Sequence, residues 1–196
     1  MPPKVKVAKD MILDKAFAMT RENGFESVTA RGLADGLGCS TQPIFRVYEN
    51  MEMLKQDLCK MTQAFFADYM YRKQAAKGNR KKKQEPAFLA MGLSYVELAR
   101  QESHLFRLLC SFNESVGSSI HDFVEQQPDY RIFKEMPELE AMTEKKKKEL
   151  LLLVWVFTHG IASTVVNKTV VLSDKELREL LIKAYQAFEN AEGKGG

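Results

Sequence analysis

Apolar side chains recur every three or four residues along almost the whole chain, and no segment alternates apolar and polar residues as a half-buried strand does. Residues three and four apart share one face of an α-helix, so this period predicts helices. Such helices bury their apolar faces against one another, which constrains the chain to packed helices. We therefore predict an all-α protein of about nine helices.

Glycines and capping residues predict where these helices end. Gly24 stops the first helix, Thr29 is the N-cap of the second, and Asn50 caps the fourth. Ser173 and Glu176 form a capping box before the last helix. The predicted helices cover residues 7–23, 29–37, 40–47, 51–76, 87–100, 103–112, 116–127, 142–168 and 173–190. Segments 77–86 and 127–140 are predicted to be irregular, and residues 191–196 to form a disordered tail.

Charge and motifs exclude several classes of function. The net charge is +3, and residues 1–60 carry nine Lys and Arg against eight Asp and Glu. Binding to a polyanion would therefore depend on individually placed residues, not on a general cationic field. No nucleophile–base pair, paired carboxylates, metal-ligand cluster or Gly-rich phosphate loop stands out. We expect no enzymatic activity, no cofactor and no metal site.

The predicted compartment is the cytoplasm. Cys39, Cys59 and Cys110 are widely spaced and odd in number, which is typical of reduced, unpaired thiols. The N-terminus mixes Lys and Asp among its apolar residues and lacks the apolar core of a signal peptide. The longest apolar run, residues 150–157, has eight residues, whereas a membrane-spanning helix needs about 20. We therefore predict a soluble protein without a membrane partner.

The second and third predicted helices have the layout of a helix-turn-helix. A tight turn at residues 37–39 joins them, and Gly38 permits the positive φ that such a turn requires. The residues expected to close its small core are Ile12, Ala16, Phe17, Leu33, Leu37, Ile44 and Val47. Polar residues of the third helix would then lie outside, and a helix of this size fits the major groove of DNA.

The sequence NGFESVTARGLADGLGCSTQPIFRVYENMEML, residues 23–54, resembles the N-terminal domain of TetR-family transcriptional repressors, and the resemblance covers residues 7–60. The matching positions are Gly24, Phe25, Thr29, Leu33, Ala34, Leu37, Gly38, Ile44, Phe45, Tyr48 and Leu54. It implies a three-helix DNA-binding domain over residues 1–50, and a ligand-binding and dimerisation bundle over residues 51–190. It also implies a homodimer whose two recognition helices enter successive major grooves of double-stranded DNA.

The resemblance also implies which residues contact DNA. Arg31 would reach a base edge or a phosphate, and Arg46 would touch the backbone. The full implied set is Thr29, Arg31, Ser40, Thr41, Gln42, Pro43, Phe45, Arg46 and Tyr48. Two readings stay open: Thr29 is also a helix cap, and Tyr48 is also a packing residue. Phe45 and Met51 depart from the family's usual Tyr and Lys, which removes two phosphate contacts.

Near the C-terminus, LLVWVFTHGIAS (residues 152–163) has the spacing W-x-x-x-H-G, which resembles one branch of the TetR family. Residues 95–109 are similar to the same branch. Gly160 is expected to permit close helix–helix approach. The resemblance implies a pocket for a small lipophilic or aromatic effector, although large apolar residues at helical spacing are more often core. The candidate lining residues are Met91, Tyr95, Phe106, Cys110, Phe123, Trp155 and His159.

The last two predicted helices carry broad apolar faces. In the TetR family such helices pair with those of a second copy, which implies a dimer interface. The candidate residues are Leu150, Val154, Phe157, Ile161, Leu177, Leu181, Ala184 and Phe188. The same faces are also compatible with an intramolecular core.

These patterns together predict a dimeric repressor that a small effector releases from a pseudo-palindromic operator. The alternative is a helical protein that binds small molecules and whose DNA-reading surface has degenerated. The residues at positions 45 and 51 favour that alternative.

Overall fold

The structure, a computed structural model, describes residues 7–77, 86–111, 119, 122 and 130–192. In these ranges it contains nine α-helices and no β-strand, so the predicted all-α class is confirmed. The helices are α1 (Lys9–Asn23), α2 (Ala30–Gly36), α3 (Gln42–Val47), α4 (Met51–Lys77), α5 (Ala87–Gln101), α6 (Ser103–Ser111), α7 (Tyr130–Lys134), α8 (Glu144–Val166) and α9 (Asp174–Glu192). Two 3₁₀ turns lie at Phe25–Ser27 and Pro137–Leu139.

The predicted caps form. Gly24 ends α1 with a φ of 86°, and its N–H donates to the carbonyl of Thr20. Asn50 Oδ1 accepts a hydrogen bond from the N–H of Met53 at 3.0 Å, at the start of α4. At the start of α9, the N–H of Ser173 donates to Glu176 Oε2 at 2.8 Å, and the N–H of Glu176 donates to Ser173 Oγ at 3.3 Å. This reciprocal pair is the predicted capping box.

One irregular segment was wrongly predicted. Residues 130–139 contain helix α7 and a 3₁₀ turn, and Ile132, Phe133, Met136 and Leu139 are buried. Pro137 does not interrupt this structure because it occupies the first turn of the 3₁₀ helix, where an N–H has no partner to lose. Most of the predicted helix at 116–127, most of the predicted loop at 77–86, and the end of the predicted tail lie outside the described residues.

The chain forms two compact units. The first contains residues 7–65 and 102–111, and the second contains the remaining described residues. Helix α4 belongs to the first unit up to Phe65 and to the second from Phe66, whereas α6 joins the first unit. The division of packing therefore does not coincide with residue 50, where the family resemblance implies a change of function.

In the first unit, α1 packs against α2, α6 and the first 3₁₀ turn, and α2 packs against α3. The predicted small core is present: Ile12, Ala16, Leu33 and Ile44 are fully or almost fully buried, and Phe17, Leu37 and Val47 pack against them. An ion pair joins α1 to the start of α6. Arg21 Nε donates to Glu102 Oε2 at 2.8 Å, a second hydrogen bond joins Arg21 Nη2 to Glu102 Oε1, and Glu102 is buried.

In the second unit, α5 packs against α8 and α9, α8 packs against α9, and α7 packs against α8. Close approach of helices occurs at Gly92 of α5, where an added Cβ would lie 3.1 Å from Leu181 Cδ1 of α9. Gly160, for which close approach was predicted, meets no described atom within 4 Å, so that prediction is wrong within one chain. This packing leaves small spaces among α5, α8 and α9.

Candidate functional site

A five-residue turn brings α2 and α3 together. The N–H of Cys39 donates to the carbonyl of Ala34 at 3.0 Å, and Gly38 has a φ of 65°, a backbone conformation in which a side chain would be strained. Within α2, an added Cβ on Gly32 would lie 3.1 Å from Met19 Cε of α1. That close approach explains a glycine inside such a short helix, where glycine otherwise lowers stability.

Helix α3 has two contrasting faces. Ile44 is 0% exposed and belongs to the core of the first unit. The adjacent Phe45 is 49% exposed, and Gln42 and Arg46 are exposed with it. Pro43, in the first turn of the helix, is half-buried. The helix is therefore held by one apolar face and presents an amide, an aromatic ring and a guanidinium to solvent.

The two predicted base- or phosphate-contacting arginines are exposed. Arg31 lies in the first turn of α2 and Arg46 in the last turn of α3. In the part of the chain that the structure describes, neither guanidinium has an ion-pair or hydrogen-bond partner. An Arg in this state can form two parallel hydrogen bonds with a guanine edge or with a phosphate.

The hydroxyl-bearing candidates differ from one another. Thr29 Oγ1 accepts a hydrogen bond from the N–H of Gly32 at 3.0 Å, so its oxygen caps α2. Thr41 occupies the N-cap position of α3 but forms no cap hydrogen bond, and Ser40 beside it is exposed. Ser40 and Thr41 thus lie at the N-terminal end of α3, where no side chain caps the helix, whereas Thr29 caps α2.

Tyr48 does not lie on the exposed surface with the other candidates. It is 2% exposed, and its hydroxyl donates to Asp57 Oδ2 at 3.2 Å, while Lys9 Nζ lies 2.6 Å from the same oxygen. Burial, together with the charge of Asp57, raises the pKa of Tyr48 far above its usual range. The hydrogen bond from Lys9 lowers the pKa of Asp57. Of the two readings of Tyr48, this geometry supports packing.

A first cavity lies in the second unit, among α5 and α8. It is lined by Met91, Gly92, Tyr95, Leu151, Val154, Trp155 and Thr158. Three of the predicted pocket residues, Met91, Tyr95 and Trp155, are therefore brought together. The cavity has an empty volume of about 330 Å³, which includes space open to solvent. Its enclosed free space holds only about one or two water molecules, so a larger ligand would have to displace side chains.

His159 lies beside this cavity without being part of its lining. Its ring stacks on that of Trp155, with centroids 4.7 Å apart and planes 11° apart, and its Nδ1 is 3.0 Å from the hydroxyl of Tyr95. Burial lowers the pKa of His159, which favours the neutral imidazole. The W-x-x-x-H spacing thus places Trp155 and His159 one turn apart on the same side of α8.

A second cavity was not predicted. It shares Val154 and Thr158 with the first and is otherwise lined by Phe88, Phe157, Leu181, Ala184, Tyr185 and Phe188. The ring of Tyr185 stacks on that of Phe88, with centroids 3.6 Å apart. Two sequence signals could have indicated it: Thr158 lies inside the W-x-x-x-H-G motif, and Tyr185 interrupts the apolar face of α9 with a hydroxyl.

The remaining predicted pocket residues are not in these cavities. Phe106 is buried and Cys110 is exposed, and both belong to the first unit through α6. Sequence periodicity could not separate them from the others, because the change of unit between α5 and α6 depends on tertiary packing. Phe123 lies outside the described residues.

The predicted dimer-interface residues lie in the core of the second unit. Leu150, Val154, Ile161, Leu177 and Leu181 are buried within a single chain. The other three, Phe157, Ala184 and Phe188, line the second cavity. Helix α8 is apolar on more than one side. The face predicted to form the dimer interface is the one that packs against α5 and α9.

A different face of α8 is exposed. Leu153 is 37% and Val156 is 45% exposed, and Gly160 follows on the same side of the helix. Among the described helices, α8 alone is long and apolar enough to cross a membrane, with a mean hydropathy of 1.7 over a window that is 39% buried. This is weak evidence for a membrane span, because a core helix of a water-soluble protein has the same length and composition.

No ligand set for a metal ion is found in the ranges that the structure describes. There, no three His, Cys, Asp or Glu side chains are grouped so that they could hold a metal ion. The absence of a metal site over the whole chain stays a prediction.

Comparisons with known proteins define the fold further. No protein-family model matches the sequence, and no curated protein matches it. Among solved structures, the chain is similar to a protein of unknown function from Rhodococcus sp. RHA1, with a TM-score of 0.67 and 16% identity over 97% of this chain and 98% of that chain. At this identity the similarity shows a shared fold and not a shared activity.

Proposed function

We propose that the protein is a DNA-binding transcriptional repressor of the TetR type, which a small apolar or aromatic effector releases from its operator. The observation that carries this proposal is the surface of α2 and α3. Four exposed side chains, Arg31, Gln42, Phe45 and Arg46, lie on a helix-turn-helix whose opposite face is buried. Unpaired guanidinium and amide groups have no structural role there, whereas they are the groups that read base edges in a major groove.

Phe45 and Met51 set the expected strength of binding. Phe45 carries no hydroxyl for a phosphate but can contact a thymine methyl group. Met51 packs against the core of the first unit and supplies no cation to the backbone. Lys9 is engaged with Asp57, so it adds little to a phosphate contact. Binding should therefore depend strongly on the two exposed arginines.

The experiment is a gel-shift titration with the DNA that lies upstream of the protein's own gene, at several salt concentrations. We expect salt-dependent binding to a pseudo-palindromic site. Arg46→Ala should weaken it by about ten-fold or more and reduce the salt slope by about one, as for the loss of one phosphate contact. Arg72→Ala, which removes an exposed arginine from the second unit, is the matched control and should bind as the wild type does.

Two outcomes would contradict the proposal. One is the absence of any sequence preference at low salt, and the other is equal weakening by both arginine substitutions. The second outcome would mean that charge alone, and not the surface of α3, carries the binding.

Two further properties belong to this proposal. The protein acts in the cytoplasm as a homodimer, and the stripe formed by Leu153, Val156 and Gly160 contacts the second copy. An exposed apolar stripe on a water-soluble protein is stabilised by such a contact, and a small residue such as Gly160 lets two helices approach closely.

Effector binding in the second unit shifts the population toward a state that no longer fits the operator.

The second candidate is a helical protein that binds small molecules without reading DNA. The exposed Phe45 and the cation missing at Met51 favour it, because both reduce contacts with a phosphate backbone. It predicts ligand binding in the second unit together with no DNA selectivity, so the same titration separates the two candidates.

A further inference from the structure

Two buried hydroxyls that line the cavities of the second unit have no hydrogen-bond partner among the described residues. Thr158 Oγ1 and the hydroxyl of Tyr185 find none among the described residues, although the two residues are only 6% and 5% exposed. Both residues line the second cavity, and Thr158 also lines the first. Thr20 carries an unpaired hydroxyl too, but it lines neither cavity.

The hydroxyl of Thr158 lacks the hydrogen bond that two other buried helical hydroxyls form. Thr62 donates to the carbonyl of Leu58 at 2.8 Å and Ser94 to that of Ala90 at 2.7 Å, each one turn back in its own helix. A threonine inside a helix normally satisfies its hydroxyl in this way. Thr158 does not, so its donor and its acceptor both remain available to a group in the cavity.

The remaining walls select against charge. Phe88, Met91, Val154 and Trp155 line the cavities with aromatic and aliphatic surface, and no charged side chain among the described residues lines either cavity. Moving an ion into such surroundings is strongly unfavourable unless an opposite charge meets it. Burial, reinforced by the charges of Glu189 and Glu138, raises the pKa of Tyr185 to about 12, so its hydroxyl remains a proton donor at neutral pH.

We propose that the two cavities form one binding site for a small, neutral, mostly apolar molecule with a single hydrogen-bond-accepting oxygen, such as a monocyclic aromatic ketone, which the hydroxyls of Thr158 and Tyr185 bind. The oxygen accepts a hydrogen bond from each of the two hydroxyls, and the apolar body displaces flexible side chains such as Met91. The inference rests on the proposed function only in identifying this molecule as the effector.

The test uses three probes of similar shape in calorimetric titrations of the DNA-free full chain: acetophenone, ethylbenzene, which lacks the oxygen, and benzoate, which carries a charge. We expect acetophenone to bind about five-fold or more tightly than ethylbenzene, and benzoate to bind most weakly. Trp155, the only tryptophan in the sequence, lines the first cavity, so its indole N–H resonance should shift when acetophenone binds.

Three variants examine the hydroxyls. Thr158→Val and Tyr185→Phe should each reduce the preference for acetophenone by about five-fold, since one hydrogen bond contributes about that factor, and should leave ethylbenzene binding unchanged. Thr62→Val is the matched control, because it removes a buried hydroxyl that already has a partner outside the cavities. It should keep the preference.

Each other result overturns the inference. Four results would do so: equal affinity for acetophenone and ethylbenzene, an unchanged preference for acetophenone in either cavity variant, tighter binding of benzoate than of acetophenone, or no binding of any probe. None of these titrations contains DNA, so their failure leaves the repressor proposal to the gel-shift experiment. Conversely, acetophenone binding without an operator would support the cavity site and contradict the repressor.

Discussion

The two units of the molecule hold the polar groups that we propose to bind ligands in opposite surroundings. In the first unit, Arg31, Gln42 and Arg46 are exposed around a well-packed core. In the second, Thr158 and Tyr185 are buried with unpaired hydroxyls. Water solvates an exposed polar group at little free-energy cost, whereas a buried unpaired one lowers stability. These positions are consistent with the two proposals, in which a large polar partner contacts the first unit from outside and the second unit encloses a small molecule.

The largest expected effect is a loss of stability when a core residue of the first unit is truncated. Ile44→Ala should lower the free energy of unfolding by about 2–5 kcal/mol, because Ile44 is 0% exposed and the change leaves a cavity between α3 and the core. Phe45→Ala, one residue later, should change stability by only about 0.5 kcal/mol or less, since the ring is half-exposed. Chemical denaturation of both variants measures this difference.

In the gel-shift assay Phe45→Ala, although stable, should weaken operator binding, because it removes an exposed ring that the repressor proposal places against DNA. A large loss of stability in Phe45→Ala would show instead that this ring is part of the core, and the two-faced description of α3 would be wrong.

A smaller effect, of opposite sign, is expected inside the second unit. Thr158→Val should raise the stability of the ligand-free protein by about 1 kcal/mol, because it removes an unpaired hydroxyl and keeps the shape of the side chain. Thr62→Val, which removes a paired hydroxyl, should lower stability by about the same amount. Denaturant midpoints of the two variants check both signs, and a destabilised Thr158→Val protein would mean that its hydroxyl has a partner in solution.

The contrast between the units also explains what the sequence could predict. Features that depend on neighbours in the chain were correct, such as the stop at Gly24, the caps at Thr29 and Asn50, and the capping box at Ser173. The core of the helix-turn-helix was also correct, because its members lie within about forty residues and follow one helical period. Local signals of this kind determine the shape of the first unit and the surface of α3.

Features that depend on distant packing were not predictable. The apolar residues of α8 surround the helix, so periodicity alone could not tell the face against α5 and α9 from the face toward solvent. Tyr48 faces Asp57 and Lys9 because α1 and α4 meet there, and Phe106 joins the first unit because α6 packs on α1. The lack of partners for the hydroxyls of Thr158 and Tyr185 depends on the three-dimensional positions of all the groups around them, which the sequence does not contain.

The smallest expected effect is a pH dependence that belongs to the second unit. Burial lowers the pKa of His159 below its ordinary value of 6.5, and the hydroxyl of Tyr95 and the ring of Trp155 are among the groups that contact it. The unfolded chain therefore binds more protons at this position than the folded protein does, so stability falls as the pH drops through the region below about 6.5. His159→Gln removes this contribution. Denaturant unfolding of both proteins at about pH 7.5 and about pH 5.5 should show that the wild type loses more stability than the variant. Equal losses of stability in the wild type and the variant would mean that His159 has the same pKa in the folded and the unfolded protein. Its imidazole would then be solvated, as the exposed polar groups of the first unit are.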